Sequence, residues 1–138
     1  MRIVVDTCVF KLATFPSSDN PSALIAELAL RGMVESWVSP AILDEYSRVL
    51  SQTPEFLAEL LVVFETCYPI TTLNVIRHEP DNRFAECALA VGADFLVTVN
   101  TARGHFDRKR LDEVRIVTPG EFVSLPAVQP LLAELAHR

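Results

Sequence analysis

Four residues of this chain carry oxygen donors where a parallel α/β protein gathers its chemistry: Asp6, Glu45, Asp81 and Asn100. Asp6 ends the apolar run Ile3, Val4 and Val5, Asn100 follows "DFLVTV", and Asp81 opens the segment that leads into that run. Ligands in such folds bind beyond the carboxyl ends of the strands, so these residues converge if the runs are strands of one sheet. Glu45 lies two turns into a helical segment, at spacings of three and four from Ile42 and Val49, and so borders its apolar stripe. A carboxylate at the edge of a core stripe needs a partner, and a cation supplies one. Each residue also has a purely structural reading. Asp6 and Asp81 could cap the helices they precede, Glu45 could be an ordinary helix-edge acid, and Asn100 could be a loop residue that tolerates a turn. Their common placement at one end of one sheet favours the chemical reading.

The elements that must position these residues are written in the alternating pattern. Residues 3–5, 34–38, 68–70, 94–99 and 114–117 read as five strands, rich in β-branched and aromatic residues. Helix starts are marked by a cap followed by proline: Asn20–Pro21, Ser39–Pro40 and Thr53–Pro54. Gly32 lies just past the end of the first of these, Thr118 and Glu121 form a capping box, a helix from Asp81 stops at Gly92, and a last helix covers about 127–137. Strands alternating with helices along residues 1–138 predict a single α/β domain built on a parallel sheet.

Composition narrows the function classes. Half of the 138 residues are apolar and the mean hydropathy is +0.28, so either the core is rich or a partner covers apolar surface. The longest apolar stretch, 60–64, is far too short for a membrane span. The opening "MRIVVDT" enters a strand without the core of a signal peptide, so a cytoplasmic protein is expected. Cys8, Cys67 and Cys87 form no CxxC pair and read as reduced, mostly buried thiols. The net charge of −6 argues against non-specific nucleic-acid binding by a basic face, unless some carboxylates hold metal ions that meet the phosphate.

At these residues the chain resembles the PIN-domain family, in particular the small VapC-like toxin components of toxin–antitoxin pairs. "RIVVDTCVF" looks like the family's opening strand and first acid, and "SPAILDEYSRVL" like its second acidic helix. "EPDNRFAECALAVGADFLVTVN" is the most specific part, and His105–Phe106 followed by "VRIVTPGEFV" fits the end of the domain. The resemblance implies a three-layer α/β/α sandwich with a five-stranded parallel sheet. It also implies Mg2+- or Mn2+-dependent cleavage of RNA, with Asp6, Glu45 and Asp81 as metal ligands, and a homodimer with an antitoxin partner. Two positions depart from the family. Cys8 stands where an Asn usually supports the first acid, and Asn100 stands where a fourth acid is usual.

In that reading Asn100 offers an amide oxygen, Thr98 a hydroxyl behind the ligands, and the ion activates a water against the phosphodiester. Arg103, Arg108, Lys109, Arg110 and Arg115 fall in a thirteen-residue window with five of the twelve basic residues, although Asp107, Asp112 and Glu113 leave its net charge at +2. Arg103, His105, Arg108 and Lys109 are the candidate phosphate contacts, with Lys11 weaker; a solvated mixed-charge loop is the plainer reading. The alternative function is a catalytically weak PIN module that works by binding protein. A phosphatase or receiver domain with Asp6 as phosphoryl acceptor is disfavoured, because Cys8 occupies the place of its second Asp.

Overall fold

In a computed structural model, which describes residues 1–16 and 20–137, the chain forms one sheet flanked by helices. Strand β1 (Arg2–Val5) leads into helix α1 (Thr7–Ala13) and then α2 (Pro21–Leu30). After β2 (Glu35–Val38) come α3 (Pro40–Val49), α4 (Pro54–Val63) and the two-residue β3 (Glu65–Thr66). An irregular stretch precedes α5 (Asp81–Val91), and β4 (Phe95–Val97) follows it. The chain ends in a hairpin of β5 (Arg110–Leu111) and β6 (Val114–Val117), then α6 (Pro119–Val123) and α7 (Gln129–Ala136).

The sheet order is β3-β2-β1-β4-β6-β5. All pairings are parallel except that of β5 with β6. β1 and β4 are central, paired Ile3↔Phe95, Val4↔Leu96 and Val5↔Val97. Ile3, Val4, Val5, Leu96 and Val97 have no exposed surface, as strands covered on both faces require. Early strands add outward on one side of β1, and later strands add on the other. The crevice at the carboxyl ends of β1 and β4 is therefore a topological switch point, where doubly wound sheets bind ligands.

The helix starts follow from their caps. The Asn20 and Ser39 side chains accept from the backbone N–H of Ser22 and Ile42, and Thr118 with Glu121 makes a reciprocal capping box. Gly92 ends α5 in the left-handed conformation at φ 61°, which residues with a Cβ adopt only at a cost. Thr53 precedes α4 but makes no cap bond, its hydroxyl donating back to the Leu50 carbonyl instead.

Two expectations are corrected. The third strand is Glu65–Thr66, paired with Trp37 and Val38, and not 68–70. Tyr68 and Ile70 are 75% and 99% exposed, so an apolar β-type run lies outside the sheet. The sheet also has six strands, not five, and is not wholly parallel. The polar β5 returns on β6 through a tight turn in which Asp112 takes φ 52°. No helix among the described residues is long and apolar enough to cross a membrane.

Candidate active site

The switch point places Asp6 directly beyond β1, its backbone N–H bonded to the Val97 carbonyl of the neighbouring strand at 2.9 Å. Its backbone is extended as the cap of α1, but its side chain caps nothing. The carboxylate, only 4% exposed, turns into the crevice. There it accepts from the Thr98 hydroxyl at 2.7 Å, from Cys8 Sγ at 3.4 Å and from Asn100 Nδ2 at 3.5 Å. The capping reading of Asp6 is thereby set aside.

Thr98 itself is fully buried. Its amide donates to the Val117 carbonyl and its hydroxyl accepts the Asn100 amide at 2.9 Å, so one residue of β4's end orients both Asp6 and Asn100. Asn100 presents its amide nitrogen, rather than its oxygen, to Asp6. In this arrangement it is a donor that steadies the acid.

Asp81 is the first residue of α5, after a Pro80 cap, and makes no cap bond. Its side chain is 5% exposed and meets His105 Nδ1 at 2.9 Å. Glu45, half-buried on α3, accepts from the hydroxyl of Thr7, while Asp44 and Arg48 face solvent. The adjacent Tyr46 is wholly buried and donates its hydroxyl to the Val5 carbonyl, which ties α3 to the strand that carries Asp6.

Asp81 links the acids electrostatically, to Asp6 on one side and to Glu45 on the other, although among the described residues the three carboxylates are not drawn within 4.8 Å of one another. Burial pushes the Asp6 carboxyl above its ordinary range; the Thr98 bond opposes this and the charge of Asp81 adds to it. Burial likewise raises Asp81, against the bond from His105 and the nearby rings of His78 and His105, while Glu45 raises it further. Burial and the charge of Asp6 push the Cys8 thiol up to about 12. That excludes it as a thiolate nucleophile at neutral pH.

The basic residues divide. Arg103, His105 and Arg108 line one cleft of about 240 Å³ together with Arg77. Lys109 lies around the corner, in a neighbouring cavity with Thr101 and Thr118. Arg115 stacks over the Phe95 ring at 5.3 Å. Arg77 and His78 escaped the sequence reading, because they sit in a stretch without periodicity. The one available signal was the spacing of His78 three residues ahead of Asp81.

Among known families, residues 2–102 match the PIN domain. The chain belongs to the PIN domain family. A PIN domain is a nuclease-type fold that generally works with divalent metal ions and binds nucleic acid. The matched span holds Asp6, Glu45, Asp81, Thr98 and Asn100, whereas His105 and the arginine at 108 lie beyond it. No curated protein matches the chain.

Proposed function

We propose that this PIN domain is a divalent-metal-dependent endoribonuclease, the toxin of a toxin–antitoxin pair. The observation that carries the reading is the burial of Asp6 and Asp81 at the switch point, each raised by burial and by another acid. Carboxylates packed in this way resist ionising together unless a cation joins them. The donor set is chemically suited to Mg2+ or Mn2+: three carboxylates are hard oxygen ligands. Asp6, Glu45 and Asp81 would hold the ion. When bound, such an ion supplies a nucleophilic water at neutral pH and positive charge against the phosphate.

The chain's own residues do the rest. Thr98 and Asn100 hold the Asp6 carboxylate in place. Arg77, Arg103 and Arg108 line a cleft adjoining His105 that suits the flanking phosphates of an RNA strand. This local basic cleft reconciles a chain of charge −6 with a polyanionic substrate.

Cleavage of an RNA substrate with Mn2+ or Mg2+ tests the reading, with Asp81→Asn as control. The variant should lose about a hundredfold or more. Equal cleavage by both would indicate a contaminant. Cleavage by neither would favour the second reading, a PIN module that acts by binding protein. That alternative draws support from the apolar residues left in solvent, Val62 at 85% exposure among them. The same apolar surface is where an antitoxin or a second copy of the chain would bind.

A further inference from the structure

His78, Asp81 and His105 bring one ring nitrogen each and a carboxylate oxygen within 4.8 Å of one another. Two of the chain's three histidines meet here. The two imidazole rings lie 4.5 Å apart, tilted by 42°. The arrangement is built by the backbone. The His78 amide donates to the Gly104 carbonyl at 2.8 Å, which clasps the two loops together, and the Asp81 amide donates to the His78 carbonyl at 3.0 Å. Gly104 takes φ 91°, a left-handed conformation that turns the chain toward His105. The buried Phe106 anchors the next position, its amide bonded to the Asn100 carbonyl at 3.0 Å.

The geometry points to a second metal site, His78–Asp81–His105, that takes a borderline divalent ion of the zinc class. Its donors differ from those of the acidic set. Two imidazoles and one carboxylate suit zinc, nickel or cobalt, whereas magnesium prefers oxygen ligands and water. Tetrahedral donors about 2.1 Å from zinc stand about 3.4 Å apart, so the His105–Asp81 pair, now 2.9 Å apart, has to open by only about half an ångström. His78 is exposed and free to close the remaining gap by side-chain rotation. Three protein ligands leave further positions open to water or to an RNA phosphate.

Asp81 belongs to both donor sets. A zinc-class ion held by the histidines withdraws it from the oxygen site. If the nuclease reading holds, such an ion therefore suppresses the magnesium-dependent reaction. The binding itself needs no RNA and no activity.

The test is calorimetric titration of the metal-free full chain with Zn2+ in the absence of Mg2+, in a His137→Ala background that removes the remaining histidine. One Zn2+ per chain is expected. His78→Ala and His105→Ala should each weaken it by at least about tenfold, with near-native circular dichroism. Asp44→Asn, at an exposed carboxylate of α3, should leave it within about twofold, and so should Cys67→Ser, which removes one of two sulfurs lying 3.1 Å apart. Unchanged binding in both histidine variants would overturn the proposal, and so would unchanged binding in Asp81→Asn. His78→Gln and His105→Gln keep the ring positions polar, so a folding defect confined to the alanine variants does not decide the result.

Discussion

Replacing Thr98 with Val deletes one hydroxyl and almost no volume, and the structure says what it should cost. That hydroxyl has no solvent exposure and donates to the Asp6 carboxylate at 2.7 Å, a charge-assisted bond whose loss costs about 1.5–3 kcal/mol. It also accepts the Asn100 amide, and losing that acceptor adds about 1 kcal/mol. The expected destabilisation at pH 7 is about 2.5–4 kcal/mol, a large share of a domain's typical stability of about 5–15 kcal/mol. The effect should depend on pH. Asp6 has a folded pKa above its ordinary value of 3.8, so the folded protein keeps the proton when the unfolded chain has lost it. Stability therefore falls as pH rises through this window. Without the Thr98 bond, which lowers that pKa, the window widens upward and the variant loses more at neutral pH than in acid. Urea unfolding at pH 7 and near pH 4, in a double-mutant cycle with Asp6→Asn, measures both effects. A coupling energy of about 1.5–3 kcal/mol is expected at pH 7, shrinking to about 1 kcal/mol once Asp6 is protonated. Additive changes at pH 7, within about 0.5 kcal/mol, would refute the view that Thr98 holds the acid.

Further outcomes follow from the same geometry. Asp6→Asn removes a buried charge whose ionisation opposes folding, so the metal-free variant should melt a few degrees above wild type at pH 7, with the gap closing in acid; millimolar Mn2+ should raise the melting temperature of wild type more than that of the variant. Asn82 is fully buried and its side chain bonds the backbone of Val75 and Ile76. Asn82→Ala should cost about 2–4 kcal/mol, and hydrogen exchange should show loss of protection at those two amides. Cys8→Asn exchanges a weak S–H donor for an amide beside Asp6; Mn2+ affinity by calorimetry should rise, and unchanged affinity would mean that Cys8 already supports the acid adequately.

The sequence carried the frame of the fold where local chemistry decides it. The caps at Asn20, Ser39 and Thr118 bond as their residue types dictate, and α5 runs from Asp81 to the left-handed Gly92. It misled where tertiary position overrides pattern. Tyr68 and Ile70 have strand-like side chains but lie outside the sheet, while the polar Glu65–Thr66 forms the edge strand because it reaches Trp37 and Val38. The acids were readable because strand ends and helix starts are local features. Of their partners, Thr98 was expected as a hydroxyl behind the ligands, but the pairing of His105 with Asp81, which spans 24 residues, was not. Asn82, next to the recognisable Asp81, gave no sign that its amide would organise the preceding loop.

The pairing of β1 with β4 has a consequence in time. Asp6 is synthesised 92 residues before the Thr98 hydroxyl that holds it, and the strand that fixes it arrives only with residues 95–97. Non-local contacts of this kind cannot form until both partners exist. During translation the nascent chain therefore carries its first acid unassembled until β4 and the Thr98 hydroxyl behind it have emerged.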